Sequence, residues 1–127
     1  PKLRTMNFNN QLQDFINSGY LSNLSDPTTV TTLPNWEDTS YTQEERARAY
    51  FDINCAHCHS DGGYCQFQSE LRLTYETPFS ESMIFERKAS IDNRMRSYNP
   101  GISMPLIGTS LVHSEGYGLI REYLNSL

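Results

Sequence analysis

No stretch of this chain carries the run of about 18 consecutive apolar residues that a membrane-crossing helix needs, so a spanning helix is excluded. Positive charge is scarce as well. Ten Lys and Arg stand against fifteen Asp and Glu, for a net charge of −5, and the deficit is spread over residues 1–41 (two basic, four acidic) and 42–127 (eight basic, eleven acidic). Nucleic acid is held through Lys and Arg at its phosphates, so this balance disfavours it as a partner. Only three cysteines occur, one short of the smallest two-bridge framework and of a zinc site built from two C-x-x-C pairs. No internal repeat is visible. At 127 residues the chain suits one domain with a modest core.

Two of the three cysteines fall in one pentapeptide, Cys55-Ala56-His57-Cys58-His59. C-x-x-C-H is the attachment signal for c-type haem. Cysteines three apart share one side of a helical turn, so both sulfurs can reach the vinyl groups along one porphyrin edge. The following histidine, His59, is then held under the iron, and imidazole is a good iron ligand. The motif thus names one covalent haem c, with Cys55 and Cys58 as tethers, and the lack of a repeat argues against a second. His57 would turn away from the iron and face solvent. Cys65 is left over, and a buried structural role is favoured for it over a free thiol or an intermolecular bridge. A zinc-stabilised binding module is the rival reading of the same residues.

The surroundings of the motif favour haem. Thr42-Gln43-Glu44-Glu45 matches a capping box and predicts a helix from there to the cysteines. Glu44 and Arg48 would pair on its solvent side, and Ala47, Tyr50, Phe51 and Ile53 would form its buried side. Downstream, Gly101-Ile102-Ser103-Met104-Pro105 sets a methionine between a glycine turn and a proline, where its thioether can approach iron opposite His59. Met104 is therefore the candidate sixth ligand, and Met83 and Met95 read as core filler. Ser114 can cap a last helix whose Leu119, Ile120, Tyr123, Leu124 and Leu127 follow helical spacing. His113, just before it, is the one imidazole that could rival Met104. Arg87, Lys88, Arg94 and Arg96 form the one locally basic stretch; these, or Arg72, are candidates to bind haem propionates, with Tyr75, Tyr98 and Trp36 behind them.

Taken together, residues 42–127 resemble a class I c-type cytochrome, and more narrowly the cytochrome modules of larger secreted bacterial proteins. The resemblance rests on the C-x-x-C-H string, on Ala47 and Phe51 at eight and four positions before Cys55, on the Ser103-Met104-Pro105 segment and on Tyr123-Leu124. Ala47 and Ser60 stand where relatives commonly have glycine. The proline whose carbonyl accepts the proximal imidazole N–H in many relatives has no counterpart near His59. The resemblance implies an all-α fold in which a first and a last helix cross beside one haem, with His59 and Met104 as axial ligands. It implies an electron-transfer protein rather than an enzyme, serving a partner oxidoreductase such as a polysaccharide-active or quinoprotein enzyme, as a module of a longer protein.

Residues 1–41 read as an N-terminal extension. Asn9 or Asn10 would cap a short helix with Leu12, Phe15 and Ile16 on one face and Gly19 as its stop. A connector from Asp26 to Pro34 would follow, with Leu33 and Trp36 as anchors. Between the motif and Met104, Asp61-Gly62-Gly63 marks a turn, Leu71 and Leu73 lie in extended chain along the pocket, and two short helices fall near Ser80–Phe85 and Ile91–Met95. Asn99-Pro100-Gly101 is the turn that delivers the methionine. Because bacteria attach haem to C-x-x-C-H outside the cytoplasmic membrane, the expected location is periplasmic or cell-surface, and Pro1 at the start fits a processed or truncated chain. The enzyme-class rival is a haem peroxidase or gas-binding sensor, in which the sixth ligand would be labile.

Overall fold

Asn10 and Gly19 bracket the first helix, α1 (Gln11–Asn17), in the computed structural model, which describes residues 10–127. The Asn10 side chain accepts the Leu12 N–H at 3.0 Å, satisfying one of the orphan donors of the first turn. Gly19 sits at φ +77°, and the N–H groups of Gly19 and Tyr20 close the end onto the Ile16 and Phe15 carbonyls. The alternative cap Asn9 lies outside the described residues. Asp26 caps a single 3₁₀ turn at Pro27–Thr29 inside the expected connector. The chain divides into two compact units after Thr32, and residues 33–41 are part of the second.

The second unit is built on three helices, and no strand occurs among the described residues. Helix α2 (Gln43–Phe51) begins at the capping box: Glu45 N–H donates to Thr42 Oγ1, and Thr42 N–H donates to the Glu45 carboxylate at 2.8 Å. It continues as a wider π-type turn over Asp52–Ala56 that carries the first cysteine. Such turns add a residue per repeat and rotate the face of the helix. Ala47, Tyr50 and Phe51 are accordingly buried as expected, whereas Ile53 is 55% exposed and Ala56 takes the inward place.

Arg48 also departs from the expected solvent-side pair with Glu44. It is buried, and its guanidinium donates to the carbonyls of Thr74, Tyr75 and Thr77. Asp52 accepts the Tyr75 N–H at 2.7 Å. One face of α2 thereby holds the 74–77 turn through the buried Arg48, whose buried Nε lacks a partner, and the half-buried Asp52.

A single helix α3 (Ile84–Met95) replaces the two short ones expected there. It starts after a 3₁₀ turn at Phe79–Glu81 and after Met83, which adopts φ +58°. The fully buried Ser82 hydroxyl donates to the Phe79 carbonyl and accepts the Ile84 N–H, fixing this entry. Helix α4 (Ser114–Ser126) has His113 at its N-cap; Ser114 is its first residue, and its hydroxyl turns to Glu115 instead of capping.

Helix α4 packs against both α2 and α3. Leu119, Ile120, Tyr123 and Leu124 share one core with Ala47, Tyr50 and Phe51 of α2 and with Ile84, Ile91 and Met95 of α3. The approach to α2 is closest at Gly116, where an added Cβ would land inside the Tyr50 ring. Trp36 closes the outside of this contact, edge-on to Tyr50 at 5.3 Å and to His113 at 5.4 Å.

Candidate functional site

The wider turn that ends α2 delivers Cys55, and the chain then folds tightly back on itself. Cys58 and His59 N–H groups both close on the Cys55 carbonyl. A turn at Ser60–Gly63 follows, with Gly62 at φ +78° and Gly63 pressed so near Cys58 that a Cβ would lie 2.6 Å from its carbonyl oxygen. His59's own carbonyl accepts the Leu73 N–H at 2.8 Å, and Arg72 N–H reaches the Ser82 carbonyl. Extended chain at Leu71–Leu73 is thus stitched beside the motif without forming a sheet.

The methionine loop is fixed from the end of α3. Met104 N–H donates to the Arg94 carbonyl at 2.9 Å, and the Arg94 guanidinium donates back to the Ile102 carbonyl at 2.9 Å. Inside the loop the buried Ser103 hydroxyl accepts the Asn99 N–H, and Gly101 takes φ +82°. Arg94, read from sequence as a charge near the cofactor, therefore doubles as the strap that holds this loop.

These segments enclose a cavity of about 600 Å³ whose lining includes Cys55, Cys58, His59 and Met104. That size falls within the roughly 300–1,000 Å³ of sites that hold small molecules and cofactors. Leu71, Leu73, Ile91 and Met95 supply apolar wall, and three arginines, Arg72, Arg87 and Arg94, face one acid, Glu70. Arg87 pairs with Glu70, and Arg72 pairs with Asp61 while donating to the Ser69 and Leu71 carbonyls. Of the other cationic candidates, Lys88 lies over the Phe85 ring and Arg96 donates to Asn93, both away from the cavity. At the mouth, Tyr64, Phe67 and Ile107 are 73–90% exposed.

His59 is oriented by a residue that sequence reading did not identify. Ser69 Oγ lies 3.1 Å from His59 Nδ1 and also accepts the Leu71 N–H at 3.3 Å. Ser69 is thus the side-chain partner of this imidazole, and with the proton on Nδ1 the lone pair of Nε2 is free to bind a metal. No local pattern announces Ser69; the contact arises from the fold-back of the chain. Burial holds the His59 pKa below the ordinary imidazole value, helped by His57, Arg72 and Arg94, which favours the neutral ligating form. Burial likewise pushes the Cys55 thiol up to about 12.

Of the other candidates, Met95, His57 and Cys65 also border this cavity and His113 does not. Met95 is buried and also lines the cavity, so it serves both as core and as wall. His57 is exposed at the cavity edge. His113 lines a separate 220 Å³ cavity behind the methionine loop, where Tyr50 Oη lies 3.0 Å from its Nδ1. Cys65 is half-buried, lines the main cavity and donates its backbone N–H to the Cys58 carbonyl at 2.9 Å. Among the described residues no three His, Cys, Asp or Glu side chains gather as a bare metal ion would require. No family model, curated protein or solved structure matches this chain.

Proposed function

We propose that the cavity holds one covalent haem c and that the chain is a one-electron carrier of the class I cytochrome type. The observation that carries this reading is the convergence of Cys55, Cys58, His59 and Met104 on one cavity from segments 45 residues apart. The donor set fits the group. Two thiols suit thioether tethering, and one imidazole plus one thioether are too few to hold a bare cation but sufficient when a porphyrin supplies the other four ligands. Apolar walls suit the macrocycle, and the excess of arginine around the cavity suits two carboxylates.

In this reading Cys55 and Cys58 would anchor the group, and His59 and Met104 would supply its two protein ligands to iron. Ser69 fixes the imidazole plane, and Arg94 keeps the methionine loop closed. When bound, haem supplies reversible one-electron chemistry at iron. The chain's own contribution would be to ligate iron through His59 and Met104, to exclude water with Leu71, Leu73, Ile91 and Met95, and to offset the propionates with Arg72, Arg87 and Arg94. The exposed aromatic and aliphatic collar of Tyr64, Phe67 and Ile107 surrounds the mouth through which a redox partner would make a small, transient contact. We place that partner, an oxidoreductase, in the periplasm or at the cell surface, with this chain a module of a longer protein.

Absorption spectroscopy tests the assignment. The chain is expected to show sharp reduced haem bands and, when oxidised, a methionine-to-iron charge-transfer band. That band should vanish in Met104→Ala and survive in Met83→Ala and Met95→Ala. Its persistence in Met104→Ala would overturn the ligand assignment, and loss only in Met95→Ala would move the ligand to α3. A colourless protein containing zinc would overturn the whole reading.

A further inference from the structure

We propose that Cys58 and Cys65 form an intramolecular disulfide in the haem-free chain, and that this bond decides whether Cys58 is available as a tether. The first half stands on geometry alone, and the second rests on the haem reading above. Cys65 N–H donates to the Cys58 carbonyl at 2.9 Å, and Tyr64 N–H donates to the His57 carbonyl, so segment 64–65 runs back over 57–58. A backbone hydrogen bond between two residues holds their Cα atoms at the roughly 4.4–6.8 Å separation that a disulfide spans. Burial raises the Cys58 pKa, and the neighbouring Cys65 thiol raises it further. The Gly62-Gly63 turn that brings them together is closed against Cys58 with no space for a side chain at Gly63.

The chemistry is thiol–disulfide exchange with an external protein or small-molecule disulfide, R–S–S–R. Cys58 and Cys65 each give up a proton and an electron, one S–S bond forms in the chain, the R–S–S–R bond breaks, and two R–SH leave. Reduction by two thiols reverses it. Thioether formation consumes an S–H, because the sulfur adds to a vinyl carbon and its proton passes to the neighbouring one. The bridged chain has no S–H at Cys58, so it cannot be tethered there until reduced. Cys65, which has no part in holding the cofactor, thereby becomes the control on loading.

The test uses the full 127-residue chain made without haem. It is oxidised with glutathione disulfide, its free thiols are alkylated, and the digest is mapped by mass spectrometry. The expected product links Cys58 to Cys65 and carries the alkyl group on Cys55, whereas oxidation in denaturant should scatter the pairing. A dominant Cys55–Cys58 link, or the same pairing with and without denaturant, would overturn the proposal. In a second arm, oxidised and reduced samples of the wild type and of Cys55→Ser are exposed to haem, and covalent mass gain is read. Reduced samples should gain haem at Cys58, oxidised wild type should gain it at Cys55 alone, and oxidised Cys55→Ser should gain none. Equal gain at Cys58 by both would overturn the gate. No gain by the reduced wild type would overturn the haem reading while leaving the disulfide map to be judged by the first arm.

Discussion

Two glycines on one helix have opposite physical roles. Gly116 faces Tyr50, and a methyl group there would overlap the ring; Gly118 has nothing within 4 Å of the same position. Replacing a helical glycine by alanine gains up to about 1 kcal/mol of propensity. At Gly118 nothing opposes that gain, so Gly118→Ala should raise stability by about 0.5–1 kcal/mol. At Gly116 the same gain is overridden by overpacking of about 1–3 kcal/mol, because Tyr50 is wedged between Trp36 and His113 and has no free direction to move. Urea unfolding followed by circular dichroism would show the two variants shifted in opposite senses; a shared direction would mean that α4 is not held against α2 at this point. Neither role is legible in sequence, where both glycines read simply as weak points of a helix. The same holds for Ser69 and for Cys65, whose partners are set by how the chain folds back after Cys58.

At the scale of elements, local chemistry was legible and register was not. Thr42 and Glu45 are three residues apart and satisfy each other's backbone, so the start of α2 follows from four residues alone. Asn10, Gly19 and the turns at Gly62 and Gly101 were readable for the same reason. Arg48 and Ile53 were misread because a helical wheel carries no knowledge of the 74–77 turn that covers Arg48, or of the π-type turn that rotates the face before Ile53. The box itself makes a pH-dependent prediction. Hydrogen bonds from the Thr42 side chain and backbone hold the Glu45 carboxyl below its ordinary value of 4.5. A group depressed in the folded state stabilises above its unfolded pKa and loses that contribution as pH falls through the folded one. The stability difference between wild type and Glu45→Gln, measured by thermal melts, should therefore be greatest near neutral pH. It should close as pH drops through 4.5 and below. A difference that stays constant would show that the carboxylate does not close the box in solution.

For the second unit as a whole, the cavity sets the balance. Packed interiors rarely leave voids larger than a water molecule, yet this one encloses about 600 Å³ beside a core that is otherwise closed. Its mouth is open, and Leu71, Leu73, Ile91 and Met95 form its apolar wall. Helices α2 and α4 contact each other directly through Gly116 and Tyr50, whereas α3 and the methionine loop face the motif only across the cavity. The double variant Cys55→Ser/Cys58→Ser, made without haem, should therefore keep much of its helical circular dichroism while losing fixed packing on the α3 side. It should bind a hydrophobic dye and melt more than about 10 °C below the haem-loaded wild type, since each kcal/mol shifts a unit of this size by about 4–8 °C. Equal melting points with no dye binding would mean that the walls close without a cofactor, and the volume between His59 and Met104 would then cease to argue for one.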